Sequence, residues 1–172
     1  MKKLVRNRPG FTLVELLIVV IILGALAAIA IPQFTTSSDD AKLVALDTSL
    51  AELRNSIELY YHQHNGVYPG QKDDSDGSDA GSAAIAATSL VNQLTQYTSA
   101  AGVSNESKTA TYKYGPYLKK SMPMNPFNDL STLLCDITED DITVAASSGT
   151  AGWKFYTVTG RLIANDGTHD SN

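Results

Sequence analysis

The chain has 172 residues, enough for one modest domain and an anchor segment, with 43% hydrophobic residues and a formal net charge of −5. Four of its 13 basic residues precede residue 10, which leaves 9 basic against 18 acidic residues in the remainder. This acidic balance argues against nucleic acid as a partner, because binding to phosphates needs a basic face. The single cysteine, Cys135, excludes an intramolecular disulfide and a zinc site built from several cysteines. We predict that Cys135 is buried and unreactive.

The chain begins with a basic leader that is followed by a long apolar segment. Residues 11–34 contain one charged side chain, Glu15, and the basic residues of the leader are Lys2, Lys3, Arg6 and Arg8. About 20 helical residues cross a hydrocarbon core of about 30 Å, so residues 11–34 are long enough to form a transmembrane helix. The preceding positive charges predict a cytoplasmic amino terminus. Cleavage as an ordinary secretory signal, after Ala27 or Ala30, is the alternative that we disfavour, because the apolar pattern continues beyond these positions.

The motif Gly10-Phe11-Thr12-Leu13-Val14-Glu15 resembles the processing site of the type IV pilin superfamily, which includes the pseudopilins of type II secretion. The resemblance implies that a prepilin peptidase cuts between Gly10 and Phe11 and that the new amine of Phe11 is N-methylated. Glu15 lies four residues after Phe11, a spacing that places both on one face of a helix. Its carboxylate can neutralise the amine of its own chain or that of a neighbouring subunit, and the resemblance favours the neighbour. A lone Glu that reaches back to water at the membrane surface is the alternative.

The pattern predicts that the helix continues beyond the apolar segment. We expect a bend at Gly24 and Pro32, because proline removes a backbone donor and crowds the preceding turn. Residues 35–66 form the amphipathic half of the same long helix, which runs from about Phe11 to His64 and ends at Asn65-Gly66. Its apolar stripe is Leu43, Leu46, Leu50, Leu53, Ile57, Tyr60 and His64. The stripe favours packing under the chain's own head over a dimeric coiled coil.

Residues 67–172 are predicted to form a globular α+β head, so the whole chain is an α+β, pilin-like fold. Residues 70–82 are expected to be a solvated loop, 83–97 a second helix and 98–111 a loop. Strands are predicted at 133–138, 142–145, 153–158 and 161–164, with Thr159-Gly160 turning the last two into a hairpin of a small antiparallel sheet. The head most resembles a major pseudopilin, in Tyr68-Pro69, Tyr117-Leu118-Lys119-Lys120, Met122-Pro123 and Asn125-Pro126.

The sequence offers no catalytic site. Two clusters of acidic residues could either bind calcium or form solvated loops, and we favour solvated loops. The first cluster is Asp73, Asp74, Asp76 and Asp79, and the second is Asp136, Glu139, Asp140 and Asp141. Neither cluster matches an EF-hand loop. Major pseudopilins bind calcium in a loop of the sheet, but this chain does not follow their sequence pattern in that loop. His62 and His64 are two residues apart, which places them on different faces of a helix, and His169 lies in a polar tail. No nucleophile with a base and an orienting partner can be identified.

The sequence therefore predicts a structural protein rather than an enzyme, with a leader at 1–10, a filament-core helix at 11–34, an amphipathic half-helix at 35–66 and a head at 67–172. The expected function is that of a filament subunit, most similar to a major pseudopilin of type II secretion. A surface type IV pilus subunit and a membrane-tethered binding domain are the alternatives. By resemblance, the partners are identical subunits, prepilin peptidase, the inner-membrane assembly platform and minor pilins. The precursor is expected in a bacterial inner membrane with its head in the periplasm.

Overall fold

The computed structural model describes residues 10–138 and 150–169, and within helix α1 it leaves the side chains of residues 29–37 undescribed. The chain divides into two compact units, Met1–Ala41 and Lys42–Asn172. The predicted division into leader, core helix, amphipathic half-helix and head stays a prediction.

Helix α1 spans Leu13–Gln63, close to the predicted bounds of Phe11 and His64. Its end lies where the sequence placed it, because Asn65 and Gly66 both have a left-handed backbone, with φ of 56° and 81°. The Gly66 N–H donates to the Tyr61 carbonyl at 3.0 Å, which satisfies one of the last carbonyls of the helix. The backbone is helical at Gly24 and at Pro32. The bend expected at these two residues stays a prediction.

The apolar stripe of the second half of α1 forms one side of the core of the second unit. Six of its seven predicted members are buried, and Leu43 is half-buried. The residues between them, such as Asp47, Glu52 and Glu58, are exposed. The 3-and-4 spacing therefore identifies the buried face correctly, because side chains at this spacing share one side of a helix.

Helix α2 spans Ala83–Thr95 and confirms the second predicted helix. Ser82 caps it, since its side-chain oxygen accepts a hydrogen bond from the Ile85 N–H at 3.3 Å. The prediction of a loop from 98 to 111 is partly wrong. Strand β1 (Tyr97–Thr98) pairs antiparallel with strand β2 (Ser104–Asn105). Two-residue strands leave no periodic pattern in a sequence, which explains why they were missed.

A three-stranded sheet follows, with β3 at Leu133–Asp136, β4 at Trp153–Tyr156 and β5 at Arg161–Ala164. Strands β4 and β5 form the predicted antiparallel hairpin, but β3 pairs with β4 in parallel, so the sheet is mixed rather than antiparallel. Alternation within a strand does not encode its direction, and a parallel pair needs a long connection, here residues 137–152. The strand predicted at 142–145 lies outside the described residues.

The sheet, α2 and the α1 stripe enclose one hydrophobic core. Trp153 and Phe155 of β4 are completely buried, as are Leu90 and Leu94 of α2. The Trp153 indole N–H donates to the Pro123 carbonyl at 2.8 Å, so the buried ring has no unpaired donor. The turn-rich segment near Pro123 is thereby joined to the core.

Candidate functional site

The predicted processing site lies immediately before α1. Gly10 is exposed, and nothing lies within 4 Å of the position that a Cβ on Gly10 would occupy. Phe11 is 74% exposed and also precedes the first helical residue, Leu13. The Gly10–Phe11 peptide bond is therefore outside the helix and open on the side of Gly10. Both are conditions that a protease needs in order to bind extended backbone.

Glu15 and Thr12 together cap the amino-terminal end of helix α1. The Glu15 Oε2 accepts a hydrogen bond from the Thr12 N–H at 2.9 Å and another from the Thr12 hydroxyl at 2.7 Å. The Glu15 N–H in turn donates to Thr12 Oγ1 at 3.2 Å. This reciprocal arrangement is a capping box, which satisfies backbone donors that a helix start leaves unpaired.

The capping box adds Thr12 to the candidate site, a residue that the sequence reasoning missed. The available signal was the spacing Thr-x-x-Glu, which is typical of a helix start. In the uncut chain the nitrogen of Phe11 is part of a peptide bond and carries no positive charge. Glu15 instead binds Thr12, the residue next to Phe11. The carboxylate is therefore held one residue from the position where cleavage would create a positive charge.

The first part of α1 exposes apolar side chains on every side. Exposure of the large hydrophobic residues between Leu13 and Leu26 ranges from 47% at Val19 to 82% at Leu13. A helix that is apolar all round needs an apolar environment, because each such side chain loses about 1.5–3 kcal/mol of transfer free energy when it stays in water. Across the residues that the structure describes, no helix combines the length and the apolar character that a membrane crossing requires.

The first acidic cluster holds its own loop together. Asp73 Oδ1 accepts hydrogen bonds from the N–H and the hydroxyl of Ser75, and Asp76 accepts one from the Ser78 N–H. Asp79 pairs with Lys72 at 2.6 Å. In the part of the chain that the structure describes, no group of three or more His, Cys, Asp or Glu is placed to hold a metal ion.

Asp74 differs from the other acidic residues of the loop because it binds two other elements. Its carboxylate accepts hydrogen bonds from Ser89 Oγ at 3.0 Å and Asn92 Nδ2 at 2.9 Å in α2, and from Ser104 Oγ at 2.7 Å in β2. Burial alone raises the pKa of Asp74, but the hydrogen bonds outweigh it and hold the pKa below its ordinary value. Asp74 is therefore a structural anchor of the loop.

The second acidic cluster is described only in part, since residues 139–141 lie outside the described residues. Asp136 accepts hydrogen bonds from the N–H and hydroxyl of Thr138, and its other carboxylate oxygen lies 3.7 Å from Lys154 Nζ. Neighbouring Cys135 is buried, as predicted, and burial raises the pKa of its thiol to about 12. The thiolate that reacts with electrophiles is therefore scarce at neutral pH.

The histidines lie in separate environments. His62 is exposed and His64 is buried, which confirms that they face different ways. His169, in the polar tail, packs against another part of the second unit. Its ring stacks on Phe127 with centroids 3.9 Å apart, and its Nδ1 lies 3.0 Å from Asp166 Oδ1.

Comparison with known proteins bears on the amino-terminal segment. Residues 5–31 match the family described as the prokaryotic N-terminal methylation motif. This segment belongs to the type IV pilin and pseudopilin superfamily.

The relatives of this chain include proteins of type II secretion systems and of type IV pili. Type II secretion system core protein G of Pseudomonas aeruginosa is 36% identical over 64 residues, which are 37% of this chain and 44% of that protein. Type IV narrow pilus major component PilA5 of Thermus thermophilus is 40% identical over 58 residues, 34% of this chain and 50% of that protein. Type II secretion system core protein G of Vibrio cholerae is 38% identical over 69 residues, 40% of this chain and 46% of that protein.

The chain spans about half the length of these curated relatives. No solved structure matches the chain. The named relatives are pilus and secretion-system proteins.

Proposed function

We propose that this protein is the repeating subunit of a pilus-like filament, of the kind formed by major pseudopilins of type II secretion. The observation that carries the proposal is the pilin-type segment, residues 5–31, which matches the methylation motif. In this segment a sterically accessible Gly10–Phe11 bond is followed four residues later by Glu15. Its exposed apolar side chains support a role in packing against other helices, because burying them is the main free-energy gain available to them.

Processing is the first step of the proposed function. Prepilin peptidase cuts between Gly10 and Phe11, and the amine of Phe11 is then methylated. The leader of four positive charges keeps the amino terminus of the precursor in the cytoplasm, and residues 11–34 anchor it in the inner membrane. The head then lies in the periplasm, where the assembly platform and minor pilins add the subunit to the filament.

Glu15 acts in the second step, the addition of a subunit. Its carboxylate loses the hydrogen bonds from Thr12 and forms an ion pair with the positively charged Phe11 amine of a neighbouring subunit. A carboxylate–amine pair is stronger among apolar helices than in water, because the effective dielectric constant is lower there. The contact is head-to-tail and does not close on itself, so repeating it builds an open helical filament.

Mass spectrometry of the amino terminus of mature protein from its own host tests the processing step. We expect a chain that starts at Phe11 with one methyl group on its amine. Substitution Gly10→Val should leave the leader attached, whereas the neighbouring control Pro9→Ala should still be processed. A mature chain that begins after Ala27 or Ala30, or one that keeps residues 1–10, would contradict the proposal.

A surface type IV pilus is the second candidate, and the similarity to a narrow-pilus major component supports it. The two functions differ in what a deletion strain loses. Loss of enzyme secretion with normal surface motility favours the pseudopilus, and loss of motility or adhesion with normal secretion favours the pilus. A strain that keeps both would favour a membrane-tethered domain that does not polymerise.

A further inference from the structure

Thr12 is the residue at which helix α1 begins. Its carbonyl accepts the first hydrogen bond of the helix, from the Leu16 N–H at 3.2 Å, while Thr12 itself and the two residues before it lie outside the helix. Thr12 is therefore the N-cap residue of α1. Only Phe11 separates it from the Gly10–Phe11 bond that the proposed function assigns to the peptidase.

The chain also contains a competing start for the helix, at Gly10. Glycine has about the same intrinsic preference for the N-cap position as threonine. A helix that began at Gly10 would take Phe11 into its first turn, and the Gly10–Phe11 bond would then belong to the helical backbone. Downstream, residues 16–34 contain no Ser, Thr, Asp or Asn, so a side-chain cap of the kind that Thr12 provides is missing from that part of the sequence.

Glu15 decides between the two starts, because a capping box needs Glu or Gln three residues after the cap. Glu15 is three residues after Thr12 and five after Gly10. Its Oε2 accepts from the N–H and the hydroxyl of Thr12, at 2.9 and 2.7 Å, and its N–H donates to Thr12 Oγ1 at 3.2 Å. These bonds cannot form around a cap at Gly10, since glycine has no side-chain oxygen and Glu15 is too far along the helix.

The position of the helix start decides whether the peptidase can bind the chain. A protease binds its substrate as extended backbone, whereas a peptide bond in the first turn of a helix is coiled and must be unwound first. We propose that Thr12 is a positioning residue for the processing step, because with Glu15 it starts α1 after Phe11 and keeps the Gly10–Phe11 bond extended. This inference rests on the proposed function. Thr12 acts through the backbone and touches no reacting atom.

This role has a definite kinetic signature. If the peptidase binds only chains whose helix starts at Thr12, the apparent affinity falls in proportion to the fraction of such chains. Loss of the cap should therefore raise KM and leave kcat unchanged, because every chain that binds is cut as before. The free energy of a cap corresponds to roughly 3- to 30-fold in the population of a helix start, so about 30-fold is the upper limit of the rise in KM.

Cleavage of the full-length precursor by purified prepilin peptidase in detergent micelles tests the inference, with mass spectrometry of the product that starts at Phe11. Thr12→Val should raise KM by about 3-fold or more, and Thr12→Ser, which keeps the hydroxyl, should restore the wild-type value. Thr48→Val is the matched control. The Thr48 hydroxyl is exposed and donates to the Val44 carbonyl within α1, at 2.8 Å, so this variant should be cut as the wild type is.

Two further measurements separate capping from direct recognition of the Thr12 hydroxyl by the peptidase. Glu15→Val leaves that hydroxyl in place but removes its acceptor, so it should also raise KM, and Glu15→Gln, which keeps an acceptor oxygen, should be cut faster than Glu15→Val. Nuclear magnetic resonance of the precursor in micelles should give extended Cα shifts at Gly10 and Phe11 in the wild type, and shifts displaced toward helical values in Thr12→Val.

Each contrary result identifies what has failed. An equal KM for the wild type and Thr12→Val, or a loss confined to kcat, overturns the positioning role. Slower cleavage of Thr12→Val with normal cleavage of Glu15→Val overturns it as well, because the peptidase then reads the hydroxyl itself. A wild-type precursor that is not cut between Gly10 and Phe11 refutes the proposed processing, and it is distinguishable because every variant then fails in the same way.

Discussion

Asp74 offers the sharpest test of how the head is held together, because one carboxylate joins the acidic loop, α2 and β2. We expect Asp74→Ala to destabilise the second unit, since the variant loses hydrogen bonds from Ser89, Asn92 and Ser104. A hydrogen bond to a charged group contributes about 1.5–3 kcal/mol when it is well buried. Asp74 is half-buried, so solvent screening reduces each contribution to about 0.5–1 kcal/mol.

The expected loss of unfolding free energy for Asp74→Ala at pH 7 is therefore about 2 kcal/mol. Asp74→Asn should lose about half as much, because an amide oxygen in the place of Oδ2 still accepts from Asn92 and Ser104, while the Ser89 hydroxyl can turn to accept from the amide nitrogen. Asp76→Asn is the matched control in the same loop. Its carboxylate is exposed and binds only Ser78, so the variant should unfold like the wild type.

Denaturant unfolding followed by tryptophan fluorescence measures this directly, since Trp153 is the chain's single tryptophan and is fully buried. The sign of the pH dependence follows from the lowered pKa of Asp74. Its contribution is complete above the unfolded-state value near 3.8 and is lost as pH falls through the lower value of the folded state. Equal stability of wild type and Asp74→Ala at pH 7, or a difference that is as large at pH 2 as at pH 7, would refute the reasoning.

Three further predictions concern Glu15, Cys135 and His64. Glu15→Gln can keep the capping box and Glu15→Val cannot, yet both should insert into membranes and fail to form filaments in electron micrographs, because both lack the charge. Cys135 should react with iodoacetamide at pH 8 only after unfolding, because burial raises the pKa of its thiol to about 12. Burial also lowers the pKa of His64, so the unfolded state binds a proton more readily than the folded state does. As the pH decreases from about 6.5, the free energy of unfolding measured in denaturant titrations should therefore decrease, by at most about 1.4 kcal/mol per pH unit.

Each of these predictions has its own control. Glu52→Gln, exposed in the amphipathic half of α1, should assemble normally, and wild-type amounts of filament from Glu15→Val would remove Glu15 from the mechanism. Fast labelling of Cys135 in the folded chain would contradict its burial. His64→Gln should flatten the stability profile between pH 5 and 7, and an unchanged profile would assign the acid sensitivity to other groups.

Local sequence patterns were enough to predict the helices, and they also carry the proposal of a processing site. The 3-and-4 spacing from Leu43 to His64 identified the buried face of α1, and Asn65-Gly66 identified its end. Glu15 stood out because a carboxylate is costly in an apolar segment. The capping partner Thr12 was equally readable, because Thr-x-x-Glu is the spacing of a capping box.

The contacts between distant parts of the chain were not readable in this way. The parallel pairing of β3 with β4, the stacking of His169 on Phe127 and the binding of Asp74 to Ser89, Asn92 and Ser104 join residues 15 to 42 positions apart. Such contacts depend on which elements meet in the folded head, and no local periodicity encodes that choice.

The sequence by itself thus determined the helical segments, the buried stripe and the pilin-type processing motif, because each depends on residues a few positions apart along one helix or one turn. Only the tertiary structure decided the strand directions and the roles of the acidic residues that it describes. These features arise where separate segments pack, and the free energy of packing depends on shape and on hydrogen-bond partners that are remote in the chain.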